Sequence, residues 1–262
     1  MKKYIICLAL ATTLIQAQNF DVNQIMNQVK WREDGVSRAA NVTLKIIDSS
    51  GNTRERIVDY IEKDIGKERY TILYVEKPKD VKKTTILLKN NSSQIGNTAS
   101  NIWLYIPVLG KVKKLSNQNK SGRFVGSNFR YVDLEWITLE DYQYKFLGEE
   151  VLSDRNVYKI EAIAANDTII EKDGYSKKIL WIDVEYNIIV QSLYYNRDNF
   201  LIKKLSVKDI QKIDGYWTVI EQVIENYLDK QQTVMILDNV KYDISLPNNI
   251  FTKNKLGKKI TW

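Results

Sequence analysis

Carboxylates are the only side chains in this sequence spaced to run acid and base chemistry. Asp183 and Glu185 would share one face of a strand, and a pair of carboxyls flanking a bond is the apparatus of glycoside hydrolysis. Glu149 and Glu150 are adjacent and would diverge. Solvated surface charge explains both pairs more simply, because carboxylates are rarely buried. Other catalytic sets are missing. There is no histidine and the one cysteine is Cys7, which removes Ser-His-Asp and Cys-His arrangements together with thiolate and imidazole metal sites. No serine is followed three residues later by lysine, and no G-x-G-x-x-G occurs. The Gly-Lys pairs at Gly66, Gly110 and Gly257 lack the Ser or Thr of a phosphate loop. The expectation is a protein that is not an enzyme and needs no cofactor or metal.

What the chain concentrates is aromatic surface, most densely from Asn101 to Asp133. Ile102, Leu104 and Ile106 alternate with Trp103 and Tyr105, so a strand there has aliphatics on one face and aromatics on the other. A basic turn at Lys111, Lys113 and Lys114 follows. Gly122 and Gly126 then bracket Phe124, and Ser127-Asn128 adds turn chemistry before Phe129 and Tyr131. Asp133 is placed to cap a short helix over Leu134, Glu135 and Trp136. The rings either plug a core or line a ligand cavity, since such pockets are also apolar and aromatic. The candidate site is Trp103, Tyr105, Phe124, Phe129, Tyr131 and Trp136.

The elements around this stretch read as one helix and many strands. Val22, Ile25, Met26 and Val29 give the helical period within Phe20 to Arg32, with Asp21 and Gln24 as a capping box. Strands follow from Val42 to Asp48, Arg54 to Asp64, Arg69 to Glu76 and Lys83 to Lys89, then a polar loop from Asn90 to Ser100. Beyond the aromatic stretch, Tyr142, Tyr144 and Phe146 alternate into a hairpin with Val151 to Ala164. Asn166-Asp167 and Asp173-Gly174 mark turns. Lys178 to Val184 pairs with Ile188 to Tyr195, Phe200 to Ile213 with Tyr216 to Leu228, and Gln232 to Val240 closes the series. Pro247 to Leu256 is a short helical or irregular cover. This spacing predicts an antiparallel architecture, mainly β with some α. Tyrosine, at 16 residues against 6 Trp and 6 Phe, suits surfaces that are half wet and half apolar. Several strands are apolar on both faces, such as Ile188, Val190 and Tyr194 against Ile189, Leu193 and Tyr195. A single curled sheet forming an incomplete barrel around an acyl chain accounts for that, and so does an ordinary sandwich covered by protein on both sides.

Residues 1–17 read as a secretory signal peptide, with Lys2 and Lys3 as its basic start, an apolar middle from Tyr4 to Ile15 and cleavage near Ala17. The middle is too short to span a membrane. Cys7 lies inside it rather than at the cleavage site, so lipidation is not expected. Loss of Lys2 and Lys3 lowers the net charge from +7 to +5. No basic block suggests a nucleic-acid groove. Residues 18–262 are expected to form one domain, without a transmembrane segment.

The Trp103-Leu104-Tyr105-x-Pro107 strand and the later Gly126-Ser127-Asn128-Phe129-x-Tyr131-x-Asp133 segment resemble the LolA-like outer-membrane lipoprotein-sorting proteins. Gly148-Glu149-Glu150, Trp181-Ile182-Asp183, Phe251-Thr252 and Leu256 are also similar, in the same order. Asn128 and Val132 stand where the family usually has acids. The resemblance implies a half-barrel sheet whose open mouth is covered by the N-terminal helix and by short helices and loops. It implies a periplasmic carrier that binds the acyl chains of lipoproteins or lipids and delivers them towards the outer membrane without bond chemistry. An inner-membrane exporter and an outer-membrane receptor are its implied partners. A non-enzymatic envelope subunit that docks on an exporter or assembly complex is the alternative.

Overall fold

The structure, a computed structural model, describes residues 21–91 and 100–262. The expected leader at residues 1–17 lies outside the described residues, as does nearly all of the expected loop between Asn90 and Ser100.

Among the described residues the first element is helix α1, Val22–Lys30. Asp21 Oδ1 accepts the free N–H groups of Asn23 at 3.0 Å and Gln24 at 3.4 Å, which starts the helix, and Ile25, Met26 and Val29 bury its apolar stripe. Strands follow as β1 (Ser37–Ile47), β2 (Thr53–Ile65), β3 (Glu68–Lys77), β4 (Thr85–Asn91), β5 (Ser100–Ile106) and β6 (Lys111–Lys114). The second run comprises β7 (Tyr142–Leu152), β8 (Arg155–Ala164), β9 (Lys177–Asp183), β10 (Ile189–Tyr195), β11 (Leu201–Ile213), β12 (Tyr216–Asn226) and β13 (Gln231–Tyr242). Helix α2, Asp167–Asp173, joins β8 to β9.

The 13 strands of the described residues form one antiparallel sheet in the order β6-β5-β4-β3-β2-β1-β13-β12-β11-β10-β9-β8-β7. The sheet does not close, which makes it an incomplete barrel. Local chemistry sets its hairpins. Asp214 and Gly215 both take positive φ between the paired Ile213 and Tyr216, the geometry whose twist matches the flanking strands.

Four local expectations need correction. Lys111–Lys114 is an edge strand paired with β5 rather than a turn, and its exposed lysines suit an unpaired edge. Asn166-Asp167 and Asp173-Gly174 are the two ends of α2. Asn166 Oδ1 accepts from Ile169 N–H at 3.2 Å, and Gly174 supplies the left-handed cap. No helix forms over Leu134 to Trp136. The 3-10 turn lies earlier, at Tyr131–Leu134, because Asp133 Oδ2 accepts from Arg130 N–H at 2.7 Å. In β10, Val190 is an extra residue in the pairing with β9, so the alternation reverses there. Ile188 and Val190 therefore share one cluster with Leu193 and Tyr195, not with Tyr194.

Candidate ligand cavity

Strands β6 and β7 are consecutive in sequence yet stand at opposite edges of the sheet. Residues 115–141 must therefore cross its full width, and they do so over the inner face. This strap is tied down along its length. Asn128 N–H donates to Thr233 Oγ1 of β13 at 3.0 Å, Arg130 Nη1 to the Asp173 carbonyl of α2 at 2.8 Å, and Trp136 Nε1 to the Lys30 carbonyl of α1 at 3.1 Å. The last bond also satisfies a carbonyl at the end of α1 that the helix leaves free.

The six aromatic candidates are divided by the sheet. Phe124 and Phe129 are buried on the inner face with Ile102, Leu104, Ile86 and Leu88, and Tyr131 packs against Phe124 at 6.3 Å between ring centroids. Trp103 and Tyr105 belong to the outer face, where Phe251, Leu246 and Leu256 of the C-terminal segment cover them. Gly257 N–H donates to Thr85 Oγ1 at 3.1 Å, so this cover is anchored to the sheet. Trp136 stands at the end of the strap, edge-on to Trp31 at 4.9 Å.

Beneath the strap lies a cavity of about 230 Å³. Met26 of α1, Phe129 and Trp136 of the strap, and Leu180, Ile189 and Leu205 of the sheet give it an apolar wall. Its other wall is charged, with Asp133, Asp141, Lys172, Asp173 and Lys178. These charges are paired. Lys172 meets Asp141, and Asp173 accepts from Tyr142 Oη at 2.5 Å and lies 3.6 Å from Lys178. Burial would lower the Lys172 pKa, but Asp173 and Asp141 outweigh it and hold the pKa above the usual lysine value. Lys203 of β11 donates to Asp133 Oδ2 at 2.6 Å and to Tyr175 Oη. Burial dominates at this lysine and pushes it down to about 8, although Asp133 opposes the shift. Burial and the neighbouring Asp133 raise Tyr175 well above the ordinary tyrosine value.

Sequence patterns did not single out these paired groups. Lys203, Tyr175, Asp173 and Lys172 come from separate elements, and each looks like ordinary surface charge or turn chemistry in its own segment. One faint signal was Lys203 directly after Leu201-Ile202, an amine inside an apolar run. Of the carboxylates that the sequence offered for catalysis, Asp183 holds a turn, and Glu185 lies in that turn rather than on the same strand face. Asp183 Oδ1 accepts from the N–H groups of Glu185 at 2.9 Å and Tyr186 at 2.8 Å, and Oδ2 accepts from Arg155 at 3.0 Å. Glu149 and Glu150 are exposed, and Glu150 binds Trp181 Nε1. Among the described residues no group of acids is arranged to hold a metal ion, and no helix is long and apolar enough to cross a membrane.

Residues 67–258 match the model of a family described as "Uncharacterized protein". No curated protein matches the sequence. Among solved structures, an outer membrane lipoprotein-sorting protein domain from Vibrio parahaemolyticus is similar at 27% identity and a TM-score of 0.79, covering 90% of this chain and 97% of that one. A DUF1329 family protein from Desulfovibrio piger shares the fold at 24% identity and a TM-score of 0.79, over 88% of this chain and 94% of that one. A LolA superfamily protein from Nitrosomonas europaea also shares it, at 20% identity and a TM-score of 0.64, over 89% and 96%. The fold is LolA-like.

Proposed function

Because the chain belongs to the family matched over residues 67–258 and has a LolA-like fold, we propose that it is a non-enzymatic carrier. It takes the acyl chains of a lipoprotein or lipid into the cavity under the strap and releases them to a membrane acceptor. Residues 18–262 act as one exported, periplasmic unit. The single observation that carries this reading is the cavity itself, whose apolar wall of Met26, Phe129, Trp136, Leu180 and Leu205 lies beneath a crossing segment. Each methylene buried there contributes about 0.8 kcal/mol, so no bond chemistry is needed to capture an acyl chain. Release follows when an acceptor offers the chain a better site. Phe129 and Trp136 contact the acyl chain, Phe124 and Tyr131 back the strap, and Trp103 and Tyr105 hold the C-terminal cover on the outer face.

The test is native mass spectrometry of the protein purified from its own periplasm without detergent, followed by organic extraction. A stoichiometric phospholipid or acylated peptide supports the carrier. A protein that stays empty after incubation with lipid vesicles and lipoprotein counts against it.

A second reading, a subunit that docks on an exporter or assembly complex, draws on one rim of the sheet. Val108, Phe200, Tyr227 and Leu228 sit in turns on that rim and are exposed. Loss of a co-purifying partner on Phe200→Ser with Leu228→Ser, in a protein that carries no lipid, would favour docking.

A further inference from the structure

A polar pocket of about 290 Å³ adjoins the apolar cavity and shares Glu135, Trp136, Ile137 and Ile189 with it. On the carrier reading this pocket is the cavity's mouth, and its cations exceed its available anions. Its carboxylates are already engaged. Asp34, joined by Asp64 from outside the mouth, holds Arg69 through hydrogen bonds of 2.7 to 3.1 Å, Glu62 meets Arg38 at 3.2 Å, and Glu135 meets the buried Lys120 at 2.7 Å. Arg32 also lines the mouth and has no ion pair among the described residues. It donates from Nη1 to the Trp217 carbonyl at 3.0 Å, which leaves most of a five-donor guanidinium without a partner among the described residues. Residues 1–20 and 92–99 contain no aspartate or glutamate that could neutralise it. Lys30, at the end of α1, stands over the Trp136 ring at 5.8 Å and likewise has no ion pair among the described residues. On the same wall, Arg38 Nε is buried without a hydrogen-bond partner. Burial lowers the Arg32 pKa more than the nearby Asp34 raises it, so an incoming anion would relieve a standing cost.

We propose that this mouth binds the oxyanion head group of the carried lipid, with Arg32 and Lys30 on the phosphate or carboxylate and the acyl chain passing Trp136 into the apolar cavity. The proposal rests on the carrier reading and adds the head-group class to it. A planar guanidinium forks onto phosphate and carboxylate oxygens alike, which is why both belong to one ligand chemistry.

The experiment titrates the purified protein with three probes, namely lyso-phosphatidylglycerol, a monoacylglycerol of the same chain length and inorganic phosphate. The anionic lipid should bind about tenfold more tightly than the neutral one. Arg32→Gln should remove that preference, weakening the anionic lipid far more than monoacylglycerol, with only a small loss of melting temperature from the missing bond to the Trp217 carbonyl, while Arg32→Lys retains part of the preference. Equal affinity for both lipids in the wild type would overturn the head-group site and leave the carrier standing, as would an equal loss for both in Arg32→Gln. Binding of phosphate alone, with Arg32 dependence and no gain from an acyl chain, would reassign the site to a free anion. If neither lipid nor phosphate binds, the carrier reading falls with the proposal.

Discussion

Lys203 of β11 and Asp133 of the strap form an ion pair of 2.6 Å with the lysine only 3% exposed. The pair joins the crossing segment to the middle of the second half of the sheet, and the Tyr175 hydroxyl shares both partners. A buried pair like this one is costly to break from one side, because the remaining charge stays desolvated. It places the strap rather than simply adding stability.

The pH dependence of stability should carry the signature of this lysine. In the unfolded chain it keeps its proton up to about 10.4. In the folded protein it releases it near 8, so between those values the unfolded chain binds more protons and stability rises with pH. Above about 10 the sign reverses, since exposed tyrosines ionise in the unfolded chain while Tyr142, Tyr175 and Tyr60 hold their protons in the fold. Urea unfolding from pH 7 to 11 should give a maximum near about pH 9 to 10. Lys203→Met should flatten the rising side, and an unchanged profile in that variant would refute the assignment.

Core and cavity aromatics should separate in mutants. Phe124 is 2% exposed within the inner cluster, so Phe124→Ala should cost about 3–5 kcal/mol. Trp136 borders both the cavity and its mouth and is only half-buried. Trp136→Ala should weaken binding of a fluorescent fatty-acyl probe by more than its loss of stability explains. Parallel losses of binding and melting temperature in both variants would mean that Trp136 is a packing residue.

The outer cover should be separable from the cavity. Gly257 has φ of +81°, and a Cβ there would fall against the Tyr105 ring. Gly257→Ala should lower stability by roughly 1–3 kcal/mol through strain and displaced packing. Limited proteolysis should then remove the C-terminal segment faster, with acyl-probe affinity intact. Lost affinity would show that the two faces of the sheet are coupled.

Asp183, the last residue of β9, should behave as a turn support. Asp183→Ala removes the acceptor for two backbone N–H groups and for Arg155, and should cost about 1–3 kcal/mol in urea unfolding. Glu185→Gln, on the exposed side of the same turn, should stay within about 0.5 kcal/mol. A hydrolytic activity lost in both variants would reopen the acid/base reading.

Most strands were legible because their signal is local. Period-two alternation and left-handed turn pairs such as Asp214-Gly215 read correctly without knowledge of the rest of the chain. Reading failed where a local pattern had two outcomes. Asn166 and Gly174 are equally good turn residues and helix caps, and only the packing of Ile169 into the cluster beneath α1 decides for the helix. Lys111–Lys114 reads as a basic turn until it finds the free edge of β5, and the Val190 bulge leaves no trace in a pattern of apolar residues.

By itself the sequence determined that this chain is β-rich, led by one amphipathic helix, without histidine and centred on the aromatic segment before Asp133. Each of these follows from residue type or from a spacing shorter than one element. Tertiary structure decided what that segment does. Trp103 and Tyr105 are sent to one face and Phe124 and Phe129 to the other, because the strap leaves the sheet at β6 and returns at β7 on the opposite edge. Whether Lys203 meets Asp133, or Arg32 is left without an ion pair among the described residues, depends on strands that are distant in sequence coming to lie side by side. Local periodicity carries no record of that pairing, which is set when the whole sheet buries its inner face.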